Sequence, residues 1–169
     1  TECRAVMTET FVIALTTFMA TIGPIDVAAM FAAMTPGAQA AERRAMATRG
    51  IAIASGILLL FAFAGQPLLQ ALGISLPALR VAGGILLLLI GIDMVFARTS
   101  GGVSTTDDER AEAATREDIS VFPLATPLIA GPGTMGALIL LMADTEGDLS
   151  QQAIVIGTLL GVLMVTWLL

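Results

Sequence analysis

The sequence predicts an all-α fold, a polytopic transmembrane helical bundle, and three observations carry that prediction. Of the 169 residues, 56% are hydrophobic and only 13% are charged. Mean hydropathy is +0.90, beyond what a soluble domain of this length keeps in water. The apolar residues also gather into five stretches, roughly 10–34, 48–72, 76–97, 119–143 and 152–169. Each meets or approaches the ~20 residues that a spanning helix needs.

The same composition narrows the chemistry. Histidine and tyrosine are absent and every basic residue is arginine. Imidazole metal clusters and histidine acid–base catalysis are thereby excluded. Cys3 is the single cysteine, so one chain holds neither a disulfide nor a cysteine-ligated metal. The net charge of −6 sits mostly in two hydrophilic connections and gives no footprint for a nucleic acid. No nucleotide-binding motif occurs, so direct ATP coupling within the chain is not expected; no cofactor is expected, and coupling to H⁺ or Na⁺ stays open.

Taken in order, residues 1–6 read as a leader that need not be native, because Met7-Thr8-Glu9-Thr10 resembles a natural start. The first stretch is too long for a signal peptide, although Ala38-Gln39-Ala40 resembles a cleavage site. Residues 7–97 form a first three-helix repeat. Its second and third helices are expected to join around Gln66–Gln70. Residues 98–118, rich in Gly, Ser, Thr and charge, read as a flexible cytoplasmic linker. Residues 119–169 form a second repeat that stops at Trp167-Leu168-Leu169 without a polar flank, so five helices of an expected six are visible. Arg43, Arg44 and Arg49 follow the first helix, and Arg98, Arg110 and Arg116 follow the third. These loops are expected in the cytoplasm and the N-terminus outside, in a multi-pass protein of the inner (plasma) membrane.

Two interruptions stand out. Thr21-Ile22-Gly23-Pro24-Ile25-Asp26 breaks the first helix, and Ile129-Ala130-Gly131-Pro132-Gly133-Thr134 breaks the fourth. A Gly-Pro pair inside a span removes a backbone hydrogen bond, which lipid tolerates only where the break faces protein or water. Three helices per half place the breaks in inverted-topology repeats. Glycine then acts as N-cap and proline as first residue of a new half-helix, so two positive helix ends meet near the midplane and suit a carboxylate. The plainer reading is that each pair only kinks its helix for packing.

Thr21, Gly23, Pro24, Asp26, Gly131, Pro132, Gly133 and Thr134 are therefore the candidate substrate-binding residues. Asp26 either caps its own half-helix or titrates in the substrate path, since an intramembrane acid must be paired, hydrated or protonated. Asp93, one turn before the end of the third helix, reads as an interfacial partner of Arg98. Arg80, at the start of that helix, reaches the interface or closes the outer entrance. Asp26, Arg80 and Asp93 are the coupling or gating candidates. Ala78, Ala82, Gly83 and Gly84 offer a small-residue face for close helix approach.

Two runs resemble a known family. Leu72-Gly73-Ile74-Ser75-Leu76-Pro77-Ala78-Leu79-Arg80-Val81-Ala82-Gly83-Gly84 with Ile90-Gly91-Ile92-Asp93-Met94-Val95-Phe96 is similar to the third-helix signature of the MarC (multiple antibiotic resistance-related) family. So is Phe122-Pro123-Leu124-Ala125-Thr126-Pro127-Leu128-Ile129-Ala130-Gly131-Pro132-Gly133-Thr134. The resemblance spans the chain from about Met7. It implies a six-helix inner-membrane protein related to lysine-exporter-type transporters, some members carrying small neutral amino acids. Members usually show Asn-Pro at the first break, where this chain has Gly23-Pro24, and a small residue in place of Asp26.

The expected activity is secondary transport of a small metabolite, a neutral amino acid such as glycine or alanine, as two inverted halves rock about the breaks. The expected partners are that small-molecule substrate and the lipid bilayer, and no enzyme activity is expected. A non-transporting membrane scaffold is the rival. An intramembrane hydrolase using Asp26 and Asp93 requires two acids close enough to share a proton, whereas these lie at different depths.

Overall fold

A computed structural model describes residues 2–96 and 119–169, with the side chains of residues 2, 3, 90 and 93–95 excepted. The linker 98–118, with Arg98, Arg110 and Arg116, lies outside the described residues. Everything described is helix, turn or irregular chain, with no strand among the described residues.

Helix α1 (Glu2–Ile22) and helix α2 (Pro24–Met34) form one broken span of 31 residues, Arg4–Met34. Helix α3 (Ala40–Ala71) is the longest. It begins on a capping box, in which the Glu42 carboxylate accepts the Gln39 N–H at 2.9 Å. The connection expected around Gln66–Gln70 is a correction. Helix α3 runs through Pro67 to Ala71, and the turn comes at Gly73 with φ +71°. Proline so near a helix end leaves few turns for its missing donor to disturb, and glycine at Gly73 is what the left-handed turn demands.

Helix α4 (Leu76–Val95) follows. After the linker an irregular segment, Ser120–Ile129, leads to helix α5 (Pro132–Asp144) and then helix α6 (Leu149–Leu168). Helices α1–α2, α3 and α6 supply three spans long and apolar enough to cross a membrane. The segment Ser120–Ile129 with α5, bent by 54°, makes a fourth if taken as one crossing. Helix α4 adds the shorter apolar stretch Leu76–Leu89.

The fourth helix expected over 119–143 also needs correcting, because only its second half is α-helical. Pro123 and Pro127 push the residues before them into extended backbone, Phe122 at φ −133°, ψ 128° and Thr126 at φ −135°, ψ 129°. Both X-Pro peptide bonds are cis. Irregular backbone survives at membrane depth only when protein covers it. Ser120, Pro123, Leu124, Ala125, Leu128 and Ile129 are accordingly buried.

The covering surface is α3, which buries a stripe of Gly50, Ala54, Leu58, Ala62, Gly65 and Leu69. A Cβ on Gly50 would lie 2.5 Å from Leu124 Cδ2, and one on Gly65 would lie 2.6 Å from Ile139 Cγ1. These glycines let the helices touch, the usual role of small residues between membrane helices. The small-residue face expected on α4 behaves otherwise. Ala78, Ala82 and Gly84 are exposed, and Gly83 meets only Leu140, at an ordinary 3.9 Å.

Three polar links mark one end of the bundle. The Gln66 amide donates to Glu146 at 2.6 Å, Thr10 to Gln151 Oε1 at 3.0 Å, and Arg80 pairs with Asp144. Asp148 caps α6 at this end. The Gln151 side-chain amide, then the Gln151 and Ser150 N–H groups, hold its carboxyl below its usual value. At the opposite end sit Arg43 and Arg44, and the Trp167 indole donates to Thr48 at 3.0 Å. Outward faces expose Phe11, Phe63, Val81, Leu88 and Met164. Apolar exposure on that scale belongs against lipid. Hydroxyls of Thr16, Ser55, Thr158 and Thr166 donate to the carbonyl one turn back, so none reaches lipid unpaired.

Candidate functional site

The two Gly-Pro breaks meet inside this bundle. Gly23 adopts the left-handed conformation, φ 59° and ψ 65°, and caps α2, with buried Pro24 as its first residue. A side chain is disfavoured there both by φ and by space, because a Cβ would lie 3.0 Å from Asp26 Oδ2. Gly131 caps α5 in extended backbone, φ −85° and ψ 169°, ahead of Pro132. Here the requirement for glycine comes from packing, since a Cβ would lie 2.6 Å from the Pro127 carbonyl oxygen.

Thr134, 1% exposed, donates from its hydroxyl to the Thr21 carbonyl oxygen at 3.3 Å. The contact is long for a hydroxyl donor, yet it joins residues 113 apart in sequence and seats one break against the other. The Thr21 carbonyl is available because α1 stops at Ile22, which orphans its last carbonyls. Depth matches on both sides. Gly23 lies thirteen residues beyond Thr10 and Gly131 thirteen before Asp144, about 20 Å along each helix from the end marked by the polar links.

No backbone carbonyl among the described residues receives the N–H groups of Ile25, Asp26, Gly133 or Thr134. Two half-helix N-termini thus keep four donors without a backbone partner among the described residues, and helix N-termini of this kind bind anionic groups. From this level a cavity of about 530 Å³ opens toward the arginine end, with Val27 and Ile129 deep in it.

The remaining candidates are placed as follows. Asp26 is exposed on the flank of α2 and accepts no hydrogen bond among the described residues. The capping role expected for it is not formed: the Gly23 N–H goes to the Met19 carbonyl at 3.2 Å, and the Ile25 and Asp26 N–H groups make no hydrogen bond to its carboxylate. Pro132 is exposed and Gly133 half-buried. Arg80 lies away from the breaks, paired with Asp144. Asp93 is in the last turn of α4, and its side chain is outside the description. No group of three or more Cys, Asp or Glu residues is placed to hold a metal among the described residues.

The family profile described as MarC family integral membrane protein matches residues 8–169. The chain belongs to the MarC family. Among similar proteins, the UPF0056 membrane protein MJ1677 of Methanocaldococcus jannaschii is 35% identical over 158 residues, covering 94% of this chain and 76% of the relative. The UPF0056 membrane protein YvbG of Bacillus subtilis is 37% identical over 134 residues, covering 79% and 64%. The UPF0056 inner membrane protein MarC of Salmonella paratyphi A is 32% identical over 120 residues, covering 69% and 54%. The chain thus spans between about half and three quarters of the length of these relatives. No solved structure matches the chain.

For this MarC family member, sequence reasoning named the break residues and missed what holds them. The irregular Ser120–Ile129 segment was signalled by two prolines four residues apart. The glycine contacts of α3 were signalled by Gly50 and Gly65 on the same helix face as Ala54, Leu58 and Ala62. The pairing of Thr134 with a backbone carbonyl has no sequence signal at all.

Proposed function

We propose that this integral membrane protein is a secondary transporter of a small metabolite, with a small neutral amino acid such as glycine or alanine as the best candidate. The observation that carries the reading is the contact between the breaks through Thr134 and Thr21, with four N–H groups left without backbone partners beside it. A substrate carboxylate takes those donors, while Asp26 binds the amino group or exchanges a proton. Matching depth of the two breaks, and their opposite chain directions, support an inverted repeat.

Access in this reading alternates. The end carrying Arg43 and Arg44 faces the cytoplasm of the inner membrane, by the positive-inside rule, and the N-terminus lies outside. The cavity opens on the cytoplasmic side, while Arg80–Asp144, Gln66–Glu146 and Thr10–Gln151 close the outer side. Arg80 is then a gating residue, and Asp93 stands near the cytoplasmic mouth.

Counterflow of labelled glycine and alanine in proteoliposomes, with H⁺ and Na⁺ gradients imposed in turn, tests the proposal. Saturable exchange is expected. It should be lost in Gly131→Leu, and its pH dependence should change in Asp26→Asn. A scaffold would show no exchange above empty vesicles and no stabilisation by either amino acid, because only a ligand that favours the folded state raises its stability.

A further inference from the structure

The cavity at the arginine end is larger than the proposed substrate requires. At about 530 Å³ it falls within the range of sites that hold drug-sized molecules, about 300–1,000 Å³. Its chemistry is divided. Arg43 and Arg44 stand at the mouth, whereas Val27, Ile51, Leu124 and Ile129 line the depth. Arg43 to Ile51 is eight residues of one helix, so the apolar part extends about 12 Å from the cations.

Neither arginine has a carboxylate partner among the described residues. The acid beside them, Glu42, is turned back to the Gln39 N–H in the capping box. Arg43 is half-buried, with its guanidinium carbon 5.8 Å from the centroid of the Phe31 ring, a cation–π contact that fixes its direction. Arginines that only follow the positive-inside rule spread into the headgroups. These two border an apolar hollow. A cation pair with no carboxylate partner among the described residues, over apolar walls, is complementary to a ligand with one acidic group and an apolar body.

We propose that this cavity binds a small single-chain amphipathic anion, with its carboxylate or phosphate on Arg43 and Arg44 and its apolar body along Val27, Ile51, Leu124 and Ile129. Its volume fits one such chain better than a whole phospholipid. The proposal stands whether or not glycine or alanine is exchanged at the breaks.

The chain carries its own reporter. Trp167 is the only tryptophan in the sequence and lines this cavity. In phosphatidylcholine nanodiscs, 2-bromododecanoate should quench Trp167 saturably, whereas uncharged 2-bromododecan-1-ol should give only the shallow linear loss of partitioning into lipid. The double variant Arg43→Gln/Arg44→Gln should raise the half-saturating concentration at least about tenfold. Because those arginines also bear on membrane insertion, Ala28→Phe, which fills the cavity and keeps both cations, should abolish saturation as well.

Equal quenching by acid and alcohol overturns the proposal, as does saturation unchanged in Ala28→Phe. Phosphatidylglycerol nanodiscs, at high salt to screen surface charge, should leave half-saturation unchanged. If that lipid displaces the bromoacid, the small-ligand assignment fails and the lipid is the occupant.

Discussion

Replacing Gly131 by alanine adds one methyl group at the second break, and its consequence can be worked from the surrounding atoms. The backbone there, φ −85° and ψ 169°, suits alanine as well as glycine. The unfolded chain loses freedom on the substitution, which alone would stabilise by about 0.4–1 kcal/mol. Against this, the new Cβ would lie 2.6 Å from the Pro127 carbonyl oxygen. That atom is backbone, half-buried in a segment packed on α3, and cannot swing away as a flexible side chain does. Overpacking of this kind costs about 1–3 kcal/mol, so contact outweighs entropy and Gly131→Ala should destabilise by about 1–2 kcal/mol. Gly136, five residues on in α5, has nothing within 4 Å of its Cβ position. Gly136→Ala should therefore stabilise by about 0.5–1 kcal/mol. Equilibrium unfolding in mixed micelles of rising dodecyl sulfate content measures both. If Gly131→Ala proves as stable as the parent, the close packing of the break on the Pro127 carbonyl is refuted.

Other expectations follow from the same contacts. Gly65→Ala should destabilise because its Cβ meets Ile139, and Ile139→Val in the same chain should recover part of the loss in a double-mutant cycle. Thr134→Val removes the long hydroxyl contact to Thr21, so unfolding should show a loss of about 0.5–1 kcal/mol. Arg80→Gln breaks an ion pair about half exposed on both sides, and its effect on unfolding should stay under about 1 kcal/mol. Asp148→Ala removes the α6 cap and should lower the thermal midpoint at neutral pH. The folded-state pKa of Asp148 lies below its usual 3.8, so its contribution is complete above that value and fades as pH falls through the folded one. The gap between parent and variant should accordingly narrow in acid.

The membrane class and the two breaks were legible because both are local. Long apolar runs declare a lipid solvent, and a Gly-Pro pair interrupts a helix wherever it falls. What escaped the sequence depends on neighbours. Asp26 reads as a cap of its own half-helix by spacing, but the Gly23 N–H goes to Met19 and the Asp26 carboxylate accepts no hydrogen bond among the described residues. Ala78, Ala82 and Gly84 read as a packing face, but α5 presents only Leu140 to the neighbouring Gly83. The Phe122-Pro123 and Thr126-Pro127 pairs carried enough information to end a regular helix, and hydropathy masked it because both prolines sit in an apolar run.

The two glycine contacts on α3 also bear on which parts can move. Leu124 sits in the hollow at Gly50 and Ile139 in the hollow at Gly65, about 22 Å apart along the helix. Two such notches key α3, from the first half of the chain, to the irregular segment and α5 of the second. Helix α6 meanwhile runs in the same direction as α1 and packs along it. The mechanical bodies therefore cut across the halves drawn from sequence, and a motion that separated residues before the linker from those after it would have to pull both side chains out of their notches. Between α1–α2 and α5, by contrast, apolar packing is supplemented by one hydrogen bond among the described residues, the long hydroxyl contact from Thr134 to the Thr21 carbonyl.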